Sequence, residues 1–91
     1  MQIRHLSFFV TLAEEKHFAR AAEVCNVAQP TLSAAIRRLE EDLNTTLILR
    51  GRRYLGLTPD GEKALELGRQ ILSDYQKLRS EIAGDPNRAQ L

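Results

Sequence analysis

The 91-residue sequence predicts a mainly α-helical domain: three core helices, a short β-hairpin and a long closing helix. Three patterns predict it. Apolar residues recur at helical spacing in three separate stretches before Asn44. Leucines then alternate on either side of Arg50-Gly51-Arg52-Arg53. From Thr58 onward a heptad stripe runs without a break until Gly84-Asp85-Pro86.

Ile3, Leu6, Phe9, Val10 and Ala13 place the first helix over about Ile3 to Glu15, with its apolar side under the next two helices. Lys16 and His17 break it, and His17 stands where Ser, Thr, Asp or Asn would cap the next helix better. Phe18, Ala21, Ala22 and Cys25 form a compact buried face whose small alanines let another helix cross closely. Asn26 supplies a left-handed stop, Val27 turns back to the core, and Pro30 suits a first helical turn because it lacks an N–H that would be unpaired there. In the second helix of this helix-turn-helix, Leu32, Ala35, Ile36, Leu39 and Leu43 point inward. At ~100° per residue the opposite face carries Pro30, Ala34, Arg37, Arg38 and Glu41, with Ser33 at its edge.

Asn44 is the expected C-cap. Leu47, Leu49, Leu55 and Leu57 then flank a hairpin whose tip holds three arginines and a glycine. Guanidinium groups so close together repel one another unless something anionic arrives, so the tip suits a wing laid along a phosphate backbone. Thr58 can cap the closing helix, Pro59 fits its first position, and Asp60 and Glu62 lie near the positive end of its dipole. Ala64, Gly68, Ile71, Tyr75, Leu78 and Ile82 form the heptad seam, widened by Leu65 and Leu72. At 1.5 Å per residue this helix is ~36 Å long, more than a domain of this size covers, so part of the seam needs a partner. A second copy of the same helix is the simplest one. Residues 84–91 have the composition of a flexible linker.

Composition excludes several classes. Net charge is +1, with eight basic and six acidic residues up to Thr58, and five of the basic ones lie between Arg37 and Arg53. The lone Cys25 excludes an internal disulfide, and two histidines with one thiol offer no metal-ligand spacing. There is no nucleophile–base pair, carboxylate pair or phosphate loop, so an enzyme is not expected. No apolar run approaches the roughly 20 residues of a membrane span, and MQIRHLSFFV lacks the apolar core of a signal peptide, so the expected location is cytoplasmic.

Taken together, RHLSFFVTLAEE, FARAAE, VAQPTLSAAIRRLEEDL, the arginine hairpin and LTPDGE leading into a long helix resemble the DNA-binding domain of the LysR-type bacterial transcription regulators, from Met1 to about Ile82. The resemblance implies a winged helix-turn-helix domain over residues 1–58, with the motif at about 18–37 and the wing at about 47–57. It also implies a linker helix over 59–83 that pairs with its mate, and a bacterial regulator that binds an interrupted palindrome in double-stranded DNA as a dimer. It further implies a longer protein with an effector-binding domain beyond this sequence. A small-molecule effector is expected there and no cofactor in this stretch, and tetramers are possible at full length. DNA contacts carried over by position fall on Gln29, Pro30, Thr31 and Ser33, and on Arg50 and Arg53; Arg37 and Arg52 join them by placement and charge. Ala34 stands where the family often has a polar or basic contact residue, and its methyl group could instead meet a thymine methyl. A second reading stays open on the same residues: a helical protein-interaction module that binds no DNA, which near-neutral charge favours and the arginine hairpin disfavours.

Overall fold

The first three helices all stop on a residue with a left-handed backbone: Lys16 (φ 58°), Asn26 (φ 58°) and Asn44 (φ 54°). The computed structural model describes residues 1–82. The three stops divide its first half into α1 (Ile3–Glu15), α2 (Phe18–Cys25) and α3 (Gln29–Leu43). Asn adopts this geometry at little steric cost, and the turn closes because the next N–H groups reach back to otherwise unpaired carbonyls. Asn26 N donates to Glu23 O and Val27 N to Ala22 O, both at 3.0 Å; Asn44 N donates to Glu41 O and Thr45 N to Glu40 O, both at 3.1 Å. Both asparagines therefore do what the sequence predicts. His17 caps α2 after all: its Nδ1 accepts the N–H of Arg20 at 3.1 Å, which puts the ring proton of this tautomer on Nε2.

α1 packs against α2, α3 and α4, which is why it is apolar on more than one side. Phe8 and Leu12 are buried in addition to the stripe of Leu6, Phe9, Val10 and Ala13. Phe9 and Leu12 meet Leu32, Ile36 and Leu39 of α3 and Leu47 and Ile48 in one core, and all seven are fully buried. Leu43 was expected to point inward with the rest of the α3 stripe. It is instead 44% exposed, because the last turn of α3 runs past the core into a concavity shared with Met1, Leu67 and Ile71.

β1 (Ile48–Arg50) and β2 (Tyr54–Leu57) form the expected antiparallel hairpin, paired Ile48 to Leu57, Leu49 to Gly56 and Arg50 to Tyr54, with a register shift after Leu49. Its leucines do not share one fate. Leu47 and Ile48 are both buried, whereas Leu49 and Leu55 face outward and are exposed. The strand begins only at Ile48, so alternation sends Ile48 and Arg50 inward and Leu49 outward.

α4 (Pro59–Ile82) starts from a tight root. Thr58 donates its N–H to Leu47 O (3.0 Å) and its hydroxyl to Thr46 O (2.6 Å), while Oγ1 accepts the N–H of Gly61 (2.9 Å). The cap and the closure of the hairpin are thus one residue, and losing such a cap costs ~1 kcal/mol. Thr45 adds a hydroxyl hydrogen bond to Asp60. Gly61 touches the backbone so closely that an added Cβ would lie 2.0 Å from Leu47 O. Seven residues on, Gly68 lies against Leu6 and Val10 of α1, and Arg69 pairs with Glu14 at 3.3 Å. The expected linker over 84–91, like Ala83, lies outside the described residues.

Candidate nucleic-acid interface

The inward stripe of α3 leaves no freedom in what its first turns show to solvent. With Leu32, Ala35, Ile36 and Leu39 held in the core, Gln29, Pro30, Thr31, Ala34 and Arg37 are exposed and Ser33 is half-buried. Ala28 at the N-cap makes no side-chain hydrogen bond to close the helix, and the positive end of the helix dipole there favours an anion.

Gln29 shares one open concavity with Arg52 and Arg53 of the hairpin loop and with Lys16, His17, Phe18, Ala19, Tyr54 and Leu55. Three cations line it and no carboxylate does. The α1–α2 break delivers Lys16, the α2–α3 turn delivers Gln29, and the hairpin delivers the two arginines. Arg37, Arg52 and Arg53 have no ion pair among the described residues, and all three are exposed. The floor is firm: Phe18 and Tyr54 meet edge-to-face at 6.4 Å and 67°, joining α2 to β2. Burial, and then the nearby Glu62 carboxylate, push the Tyr54 phenol above its ordinary value of 10.0, so it stays neutral through the physiological range. Pro30, Thr31 and Ala34 lie on the other flank of the α3 ridge, in a shallower groove with Arg4, His5 and Phe8, where the Arg4 guanidinium stands 5.1 Å over the Phe8 ring.

Arg50 departs from expectation. Rather than joining Arg52 and Arg53 at the tip, it folds back to α3 and pairs with Glu40, Nη1 to Oε1 at 2.9 Å, while its Nη2 is buried without a hydrogen-bond partner among the described residues. Strand alternation turns Arg50 to the same side as buried Ile48, where Glu40 holds it. On the outer face of α3, Arg38 pairs with Asp42 at 3.6 Å, and Arg37 has no ion pair among the described residues.

Sequence reasoning misses two residues. Lys16 reads in the sequence only as a helix break, yet its left-handed backbone is what places it beside Gln29 and Arg53. Glu40 reads as surface charge but is only 8% exposed. The signal is there, because Glu40 follows Leu32 and Ile36 at successive i+4 steps on the inward face.

The heptad stripe of α4 divides. Gly68 is buried under α1 in the same chain, so it is withdrawn from any partner helix, and Ala64 packs against the core with Leu65 and Leu72. Ile71, Leu78 and Ile82, together with Leu67, stay exposed. Tyr75 is half-buried, with the Arg79 guanidinium 6.0 Å over its ring. Among the described residues no cluster of His, Cys, Asp or Glu could hold a metal ion, and no helix is long and apolar enough to cross a membrane.

Comparison with known proteins adds an independent line. Residues 3–62 match the family model of the bacterial regulatory helix-turn-helix proteins of the lysR family. The chain is 46% identical over 81 residues to the SDS degradation transcriptional activation protein of a Pseudomonas species, covering 89% of this chain and 26% of that protein. It is 44% identical over 85 residues to a hydrogen peroxide-inducible genes activator of Haemophilus influenzae, covering 93% and 28%. The chain thus spans about a quarter of the length of these relatives. Among solved structures, the DNA-binding domain of BenM in complex with benA site 1 DNA superposes with a TM-score of 0.82 at 38% identity, covering 89% of this chain and 94% of that one. Vibrio fischeri DarR in complex with DNA gives a TM-score of 0.86 at 32% identity, covering 91% and 28%.

Proposed function

This chain belongs to the lysR family of bacterial regulatory helix-turn-helix proteins, and on that premise we propose that it is the sequence-specific, double-stranded-DNA-binding part of a transcription regulator. The observation that carries the reading is the concavity in which Gln29 stands with Lys16, Arg52 and Arg53 and no acidic residue.

In this reading the start of α3 enters the major groove. Gln29 reads a base edge, an adenine by preference since its amide can pair there bidentately, and Thr31 and Ser33 reach a base edge or a phosphate. Pro30 and Ala34 present apolar surface suited to a thymine methyl. Lys16 and Arg37 take phosphates of the groove wall, and Arg52 and Arg53 hold the flanking backbone or minor groove as the wing. Phosphate contacts supply most of the affinity and the head of α3 the discrimination.

The same reading assigns the uncovered stripe of α4 to a second copy. Antiparallel pairing of two α4 helices through Ile71, Leu78 and Ile82, with Leu67 beside them, would present two α3 helices to successive major grooves of an interrupted palindrome. The inward seam residues Ala64 and Gly68 support α4 from beneath. Residues beyond this chain would carry the effector-binding domain, its small-molecule ligand and any tetramer contacts.

The test is a salt series of duplex DNA binding by the 91-residue chain, with Gln29→Ala beside it. Log affinity is expected to fall linearly with log salt, by about 0.9 for each phosphate engaged, and Gln29→Ala to relax preference at one base pair by ~1–3 kcal/mol. Binding that ignores salt would favour a protein-interaction module instead, and unchanged selectivity would remove Gln29 as a reader.

A further inference from the structure

Arg50 and Arg52 are two residues apart in the hairpin and are chemically identical, yet the structure separates them, and the separating agent is Glu40. Its carboxylate is almost fully buried near the end of α3. Oε2 accepts the N–H of Leu47 at 2.8 Å and of Ile48 at 3.3 Å, and Oε1 accepts Arg50 Nη1 at 2.9 Å. One side chain of the recognition helix therefore holds the residue before β1, the first residue of β1 and its last residue. A buried carboxylate is tolerable only when it is hydrogen-bonded and charge-matched, and Arg50 provides the match. The remaining terminal nitrogen of Arg50 is itself shielded from solvent.

We propose that Glu40 is a positioning residue of the DNA-binding surface. It registers the wing against α3, and by drawing Arg50 inward it leaves Arg52 and Arg53 as the only wing arginines that meet phosphate. This rests on the proposed DNA-binding function. Glu40 touches no DNA and acts through the hairpin, whose tip lies at the far end of the strands it anchors.

The experiment is a salt series on a labelled mixed-sequence DNA duplex, using the 91-residue chain and its variants Arg50→Gln, Arg52→Gln, Glu40→Gln and Glu40→Gln/Arg52→Gln, each checked for helical content and melting. Arg52→Gln should lose one phosphate per subunit. In a dimer this makes affinity about tenfold less salt-sensitive between 50 and 200 mM. With Glu40 still held by the N–H groups of Leu47 and Ile48, Arg50→Gln should lower the melting temperature yet keep the parental salt slope, and a slope as shallow as that of Arg52→Gln in the folded variant would overturn the proposal. Arg52→Gln should also cost less in the Glu40→Gln background than in the parent, because a misplaced wing has less to lose. Glu40 and Arg52 do not touch, so that coupling can only pass through the placement of the hairpin. Strictly additive losses in folded variants would reduce Glu40 to a packing role and overturn the proposal. If Glu40→Gln fails to fold, the comparison of Arg50→Gln with Arg52→Gln still decides. If the parent chain shows no salt-dependent binding, the DNA reading itself has failed, and that is visible before any variant is made.

Discussion

The two halves of α4 carry one heptad stripe and have opposite surroundings. From Gly61 to Gly68 the stripe lies against the same chain, close enough at Gly61 that a methyl group would overlap the carbonyl oxygen of Leu47. From Ile71 to Ile82 the described residues leave it largely uncovered, and Leu78 is 57% and Ile82 76% exposed. The difference teaches that periodicity identifies a face without identifying what covers it. Small residues mark the half that meets its own chain, because glycine lets backbones approach closely. Large aliphatic residues mark the exposed half, where the proposed pairing with a second copy would gain ~1.5–3 kcal/mol for each leucine fully buried.

Three substitutions probe that division. Gly61→Ala is expected to have the largest effect, a loss of about 3 kcal/mol in denaturant unfolding, because the obstructing atom is backbone and cannot turn aside; a loss below ~1 kcal/mol would mean the root of α4 can shift. Leu78→Asp should leave monomer unfolding nearly unchanged and weaken self-association at least tenfold, ~1.4 kcal/mol, as seen by sedimentation velocity across a concentration series. An unaltered association profile would leave the outer half of the stripe without its assigned partner. Gly68→Ala should have the smallest effect. Its added Cβ would meet side-chain atoms of Leu6 and Val10 at 3.1 and 3.2 Å, which can give a little. Replacing a helical glycine by alanine meanwhile returns ~1 kcal/mol of helix propensity. The melting temperature should therefore move by only a few degrees, and a drop as large as that for Gly61 would extend the tight inner contact a full two turns further along α4.

Much of this fold was legible in the sequence. The bounds of α1, the left-handed stops at Asn26 and Asn44, Thr58 as the cap of α4 and the hairpin between Leu47 and Leu57 all follow from local chemistry, since caps and turns depend on residues within a few positions of one another. The exposure of Gln29, Thr31 and Arg37 followed from the apolar stripe behind them. What was hidden depends on contacts far apart along the chain. Nothing near Arg50 reveals that Glu40, ten residues earlier, waits beneath the hairpin. Nothing near Leu43 reveals that the core ends one turn sooner. The strand start decides which leucines of the hairpin are buried, and a shift of one residue there exchanges inside for outside.

The root of α4 has a mechanical consequence. Thr58 is bonded to both Thr46 and Leu47 and Gly61 is seated on the Leu47 carbonyl, so the long helix is fastened directly to the residues that lead into the hairpin. Two such chains joined along their long helices would behave as the legs of a calliper whose joints at the tips are welded. A change in the span between its two points would then be made most readily where the legs cross, by sliding or splaying one helix on the other.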